Sequence, residues 1–428
     1  MHLKEVFIMP VCKERAWKAL NELSFERVTG TENEYKAAKL IQSWVEGSTI
    51  EEYEIDMPEI LEAKLEITKP VHKEYHVIGI GKTGSTPDEG IIAPFVYIEN
   101  AEEVNMADVK GKICLATGPL TPKKQEMLAK KGALGYIVSH GSFYDDEKLI
   151  QELRPRNSRA KVNNMPGVVL HINDCEDLVR TKPEEVKLVL KQNNDTKGKG
   201  HNVVATIEGS DLKDEIVTFT AHYDSVPYSK GAWDNATGSI TILELYHYFK
   251  ESNPRRTLKF VWCGSEEIGL VGSKNYCKDH KDEMENTIYN INFDMTGVTL
   301  GYEHFCCSSN DEALHYLEAF AKAEGYPVVT KKKLYPSDST SFAYAGVPSC
   351  TFARLAPNGG AQIHNYHDTM DHLDADSFMI TLNFVIKYAT QIINAPVNMI
   401  KREFDKKLQE KIDEHHKEEK EKEDNKDK

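Results

Sequence analysis

The chain has 428 residues, 40% hydrophobic and 28% charged, and a formal net charge of −15. It is long enough for more than one core, since single cores stop growing near about 250–300 residues, and its balance is that of a folded globular protein rather than a disordered or membrane-spanning one. The negative charge excludes nucleic acid as the main partner, because phosphate binding needs a dense basic surface.

In chain order, the opening MHLKEVFIMPVCKERAWKAL holds only a short apolar patch ahead of Glu14 and Arg15, too weak for a secretory signal. No run reaches the length of a transmembrane helix. The expectation is a cytoplasmic protein with no membrane partner, secreted only if a leader has been removed. Cys12, Cys114, Cys175, Cys263, Cys277, Cys306, Cys307 and Cys350 are scattered without a CxxC pair and read as free thiols of a reducing compartment. Thr31-Glu-Asn-Glu34 reads as a capping box for a helix running to Glu46, whose apolar stripe is Ala37, Ala38, Ile41, Trp44 and Val45.

Short β-like runs follow at 75–80, 91–97, 112–116, 135–139 and 167–170, with few long helices between them. Gly79-Ile-Gly81-Lys-Thr-Gly84 matches a dinucleotide fingerprint as a string, but Ser-Thr-Pro-Asp-Glu-Gly90 follows it. That is turn material where a helix N-terminus would have to receive the phosphates. From residue 203 the texture changes: strands at 203–207, 216–221, 258–263 and 289–293 alternate with helices at 239–249 and 311–323, and a last helix covers 377–393. The fold class is therefore α/β, a mostly parallel twisted sheet with helices on both faces, built from residues 1–56 and 200–400, with a mainly β unit inserted at 57–199. From Lys401 onward ten Lys and Arg face eleven Asp and Glu, which reads as a solvated charged tail, helical and then fraying after about residue 418.

The chemistry gathers at the ends of these strands. His222-Tyr-Asp224 closes one, an arrangement in which the imidazole ligates a metal and the carboxylate orients it. Asp234 opens the next helix, where an N-cap is the plainer role. Glu266 and Glu267 follow the strand at 258–263, Asp294 follows the one at 289–293, and AQIHNYHDTMDHLD supplies His364, His367, Asp368, Asp371 and His372. Each acid alone reads as a solvated loop residue; all of them past carboxyl strand ends do not. Two histidines and three carboxylates are what a pair of Zn²⁺ ions requires. Adjacent like charges at Glu266 and Glu267 become tolerable if Glu267 is compensated by metal while Glu266 stays off it as a general base.

The ordered segments AHYDSVPYSKGAWDNATG, GSEEIGLVGS, NFDMTG, SDSTSFAYAGVPS and IHNYHDTMDHL resemble the motifs of the M28 family of co-catalytic zinc aminopeptidases, over about 202–395 with 6–55 as the opening segment. The resemblance implies two Zn²⁺ per chain: one held by His222 and Asp294, the other by Glu267 and His364, with Asp234 bridging and Asp224 supporting His222. It implies removal of N-terminal residues from peptide substrates through a metal-activated water, with Glu266 as base. A carboxypeptidase, a glutaminyl-cyclase-like enzyme and a non-catalytic scaffold are the alternatives. Of the two alignments of IHNYHDTMD, the one selecting His364 keeps more of the family pattern than the one selecting His367. Tyr344 is a candidate for substrate binding and oxyanion stabilisation. Ser339 stands where many relatives carry histidine, so specificity does not transfer. The insert, through NMADVKGKICLATGPLTPKKQEMLAKKGALGYIVSHG, resembles a protease-associated (PA) domain, which implies a lid or substrate-side wall.

Overall fold

In the computed structural model, residues 11–145, 148–151 and 164–426 are described. The apolar patch read for a leader and the last two residues of the tail lie outside them. Two units emerge: Met1–Tyr53 with Lys199–Lys428, and Glu54–Gly198.

The chain begins with α1 (Lys13–Leu23), α2 (Glu32–Trp44) and β1 (Thr49–Asp56). Then follow β2 (Glu59–Lys69), β3 (Lys73–Tyr75), β4 (Val77–Gly79), β5 (Ile91–Tyr97), β6 (Ile113–Ala116), α3 (Pro122–Lys130), β7 (Gly135–His140), β8 (Gly167–His171), α4 (Ile172–Thr181) and β9 (Glu185–Asn193). These strands form one sheet in the order β3-β2-β9-β5-β6-β7-β8-β4, in which β5 through β8 are mutually parallel. This unit is less purely β than expected, because α3 and α4 cover opposite faces: Leu128 packs with Cys114, Tyr136 and Val138, whereas Cys175 and Leu178 pack with Leu115, Ile137 and Leu170.

The first unit resumes in β10 (Lys197–Ile207) and continues through β11 (Leu212–His222), α5 (Thr237–Lys250), β12 (Arg256–Cys263), α6 (Val271–Asp279), α7 (Lys281–Asn286), β13 (Thr287–Phe293) and β14 (Tyr302–Ser308). It ends in α8 (Asp311–Ala323), β15 (Val328–Lys332), α9 (Ser339–Tyr344), β16 (Ser349–Leu355), α10 (Ala375–Asn394) and α11 (Lys406–Lys426). Its sheet runs β1-β10-β12-β11-β13-β16-β14-β15. The four central strands β12, β11, β13 and β16 are parallel, and antiparallel steps occur at β10/β12 and β16/β14.

Alternation along β12 puts helices on both faces, as a strand's period of two dictates. Leu258, Phe260 and Trp262 join the core under α1, α2, α5, α8 and α10, while Val261 and Cys263 meet Tyr276, Met284 and Phe342 from α6, α7 and α9. In β11 and β13 the same alternation carries a polar stripe through the interior. Val217, Phe219, Ile291 and Phe293 enter the larger core, and on the opposite face Asn290 Nδ2 donates to Thr220 Oγ1 at 3.0 Å while Thr220 Oγ1 donates to Asn292 Oδ1 at 2.8 Å. Asn292 Nδ2 reaches Ser337 Oγ at 3.0 Å and fastens the segment ahead of α9 to the end of β13.

The expected capping box is half formed. Thr31 Oγ1 accepts from the Glu34 N–H at 3.4 Å, but Glu34 turns inward, fully buried, to accept from His201 Nδ1 at 2.9 Å and from the Tyr223 hydroxyl. Arg27, also fully buried, donates to the carbonyls of Leu23, Phe25, Tyr223, Lys230 and Gly231. It ties the N-terminal segment to the end of β11 and to the turn before Asp234. Burial draws its guanidinium down to about 10, still charged at neutrality. No helix among the described residues is long and apolar enough to cross a membrane.

Because Arg27→Met strips five carbonyls of a charged donor in a dry interior, it should destabilise the first unit by about 3–5 kcal/mol. Urea unfolding would show this as a lowered midpoint for that unit.

Candidate functional site

Parallel strands bring their carboxyl ends together, and ligands gather there in open α/β sheets. His222 ends β11 and Asp224 lies two residues beyond; Glu266 and Glu267 follow β12; Asp294 follows β13; His364 comes after β16. Asp234 arrives from the turn that leads into α5. Ser265, Met295 and His364 take left-handed backbone (φ 58°, 63° and 61°). L-residues rarely adopt this conformation, and where it occurs it collects at functional sites.

One carboxylate organises the cluster. Asp234 Oδ1 lies 3.1 Å from His222 Nε2 and its Oδ2 lies 3.1 Å from His364 Nε2. A second acid completes each side: Asp294 Oδ1 is 3.6 Å from His222 Nε2, and Glu267 Oε2 is 3.2 Å from His364 Nε2. Ligand atoms of His222, Asp234 and Glu267 all lie within 4.8 Å of one another. Glu266 is half-buried and its carboxylate makes no hydrogen bond or ion pair among the described residues. His222 is 1% exposed, whereas the His364 side chain is 34% exposed, so the cluster opens on the side of His364 and Glu266.

Further residues hold these groups in place. Asp224, fully buried, faces His222 Nδ1 at 3.5 Å, accepts the N–H groups of Glu266 (3.1 Å) and Glu267 (3.2 Å), and accepts from Thr29 Oγ1 at 2.8 Å. Its backbone carbonyl lies nearer His222 Nδ1, at 3.3 Å, so one residue both orients the imidazole and pins the loop carrying both glutamates. Asp368 does the same for Asp234, accepting the N–H groups of Trp233 (2.7 Å) and Asp234 (3.1 Å). Asn235 joins this turn to the end of β13, donating to the Phe293 carbonyl at 2.9 Å and accepting from the Met295 N–H at 3.0 Å.

The charge of the site is lopsided. Asp224, Asp234, Glu266, Glu267, Asp294, Asp338 and Asp368 converge on two imidazoles and the Arg27 guanidinium. Burial, reinforced by Glu267, Asp338 and Asp294, pushes Glu266 well above the usual carboxylate range. Burial and Asp234 raise Glu267. Burial lifts both Asp338 and Asp368 to about 7. Asp234 moves the other way, since hydrogen bonds from His222 and His364 outweigh its burial. Asp234 and Glu267 raise His364 to about 11 against its own burial. Asp294 Oδ1 is buried without a hydrogen bond. Carboxylates crowded about shared imidazoles, with such an oxygen among them, form a donor set suited to divalent cations.

Of the residues picked from sequence, His222, Asp224, Asp234, Glu266, Glu267, Asp294 and His364 come together here. His367 instead packs on Tyr366, ring centroids 4.1 Å apart. Tyr344 ends the short helix α9, and its ring stacks on His415 of α11 at 3.6 Å. Tyr335, 7% exposed, lies close enough to the cluster to feel its acids. Burial and the charges of Asp294, Asp234 and Glu266 raise its hydroxyl. Asp338 and the holding role of Asp368 also escaped the sequence reading, although both acids stand inside motifs singled out there.

Residues 202–389 match Peptidase family M28. Aminopeptidase YwaD of Bacillus subtilis (strain 168) is 27% identical over 387 residues, 86% of this chain and 82% of that protein. Carboxypeptidase Q of Bos taurus is 26% identical over 286 residues, 61% of this chain and 59% of that protein. BSAP, a zinc aminopeptidase from Bacillus subtilis, superposes with a TM-score of 0.76 at 24% identity, covering 93% of this chain and 99% of that one. An aminopeptidase from Aneurinibacillus sp. strain AM-1 shares the fold with a TM-score of 0.71 at 21% identity. His222, Asp224, Asp234, Glu266, Glu267, Asp294, Asp338, His364 and Asp368 all fall within residues 202–389, the stretch that matches Peptidase family M28.

Proposed function

We propose that the chain is a zinc-dependent aminopeptidase that removes N-terminal residues from peptides. The observation that carries this reading is the division of the Asp234 oxygens between His222 and His364, each side completed by a further acid, with Glu266 left outside. His222 and Asp294 would hold one Zn²⁺, Glu267 and His364 a second, and Asp234 would bridge them. Zinc bound there supplies Lewis acidity toward water and a peptide carbonyl.

The chain's own groups do the rest. Glu266, adjacent to Glu267 but outside the pairing of acids with the two histidines, is the carboxylate placed to take a proton from the water that attacks the peptide carbon. It returns that proton to the amine that leaves when the C–N bond breaks. Tyr335 stays protonated at neutrality and supplies a neutral hydrogen-bond donor beside the acids. The surplus of carboxylates favours a substrate's α-ammonium over its terminal carboxylate. This electrostatic preference supports an aminopeptidase over the carboxypeptidase that the second relative's name brings in. We assign residues Glu54–Gly198 to the inserted PA-like domain; every residue of the cluster lies in the other unit.

Metal analysis combined with aminoacyl-anilide hydrolysis tests the reading. Glu266→Gln should retain about two zinc equivalents per chain while kcat falls roughly 10²–10⁴-fold. Zinc lost along with activity would place Glu266 among the ligands. His364→Ala should lose about one equivalent and abolish hydrolysis, whereas His367→Ala should keep both; the reverse pattern would sink the ligand assignment. Asp224→Asn, which leaves the shape but removes charge behind His222 and the glutamate loop, should weaken zinc affinity or turnover roughly 10–100-fold. N-acetylated peptides should resist cleavage, and their hydrolysis from the C-terminus would make the enzyme a carboxypeptidase.

A further inference from the structure

Lys331 and Lys333 form no ion pair among the described residues of this acidic chain. Both are exposed, and both lie on the same face of edge strand β15 and its continuation, as residues two apart in extended chain do. Lys332 points to the other face and is neutralised there by Asp311 and by Asp405, at 2.6 Å from the latter. The register sets Lys331 opposite Cys306 and Val329 opposite His304, and the Lys333 carbonyl accepts from Ser308 Oγ at 2.8 Å. His304 is therefore on the face of the two lysines. It is 2% exposed, its Nδ1 has no hydrogen-bond partner, and burial and the two lysine charges hold it neutral.

This basic strip adjoins the reaction centre. Lys333 Nζ lies 5.6 Å from the centre of the Tyr335 ring, a cation–π distance. Two residues beyond Tyr335, Ser337 accepts from Asn292 at the end of β13, the strand that delivers Asp294. Asp338 comes next, among the buried acids of the cluster.

We propose that Lys331 and Lys333, with His304 beneath them, form an anion subsite that recognises a carboxylate of the substrate at the rim opposite the acidic floor. This rests on the aminopeptidase reading: with the ammonium held over the acids, a short peptide presents its negative end away from them. The carboxylate is the free C-terminus of a short peptide or an acidic side chain. Lysines attract either as point charges without demanding a planar, bidentate fit.

The test uses the zinc-loaded full chain and two matched pairs: leucyl-leucine against leucyl-leucinamide, and leucyl-glutamate amide against leucyl-glutamine amide. The wild type should prefer the charged member of at least one pair by roughly tenfold to a hundredfold in kcat/KM, carried mainly by KM, the range expected of one charged hydrogen bond. A preference in the first pair identifies the C-terminal carboxylate as ligand; in the second, the side chain. K331Q/K333Q should erase that preference, and rising ionic strength should shrink it in the wild type. No preference in either pair, or one that survives in K331Q/K333Q, overturns the subsite while leaving the aminopeptidase in place. Failure of the wild type to cleave any of the four overturns both.

Discussion

Buried negative charge is the constraint on which this molecule turns. Acids taken out of water are tolerated only with compensation, and here they cluster where four parallel strands end. The two imidazoles and Arg27 meet part of the deficit. The remainder explains why Glu266, Asp338 and Asp368 are driven toward their neutral forms without cations, and why Asp234 alone, gripped by both histidines, is driven the other way. A pair of zinc ions would offset most of that charge.

The surrounding structure holds this uneasy set in place. Asp224 and Asp368 each spend both carboxylate oxygens on backbone N–H groups of segments that carry other acids, so the geometry of the cluster depends on the loops being fastened to one another. Arg27 caps the carbonyls of the same loops from below. The Thr-Asn stripe between β11 and β13 carries the fastening through the sheet to Ser337 and so to Tyr335 and Asp338. None of these groups need touch a substrate, yet each fixes the direction of one that would.

Much of this was legible before any coordinates. Period-two and helical patterning located α8 to the residue and β11, β12, β13 and α5 within a few positions, because buried central strands and amphipathic helices write their environment into hydrophobic spacing. Strands β2 and β9 were passed over. They carry alternating charges, as in EILEAKLEITK, and pair with each other, so their apolar faces are short. The half-made capping box shows a local motif losing to a distant demand, since Glu34 is taken by His201 and Tyr223.

The sequence by itself determined the family resemblance, the central strands and main helices of the larger unit, and the seven polar residues that meet at the site, since each sits just past a strand or turn whose pattern is local. It could not show what Tyr344 packs against, because a helix of six residues leaves the direction of its last side chain to whatever meets it, here His415. Nor could it assign Asp368 and Asp338 their surroundings. Those roles arise from contacts between segments tens of residues apart. Strand register and the crossing of loops decide such contacts, and no local spacing encodes them.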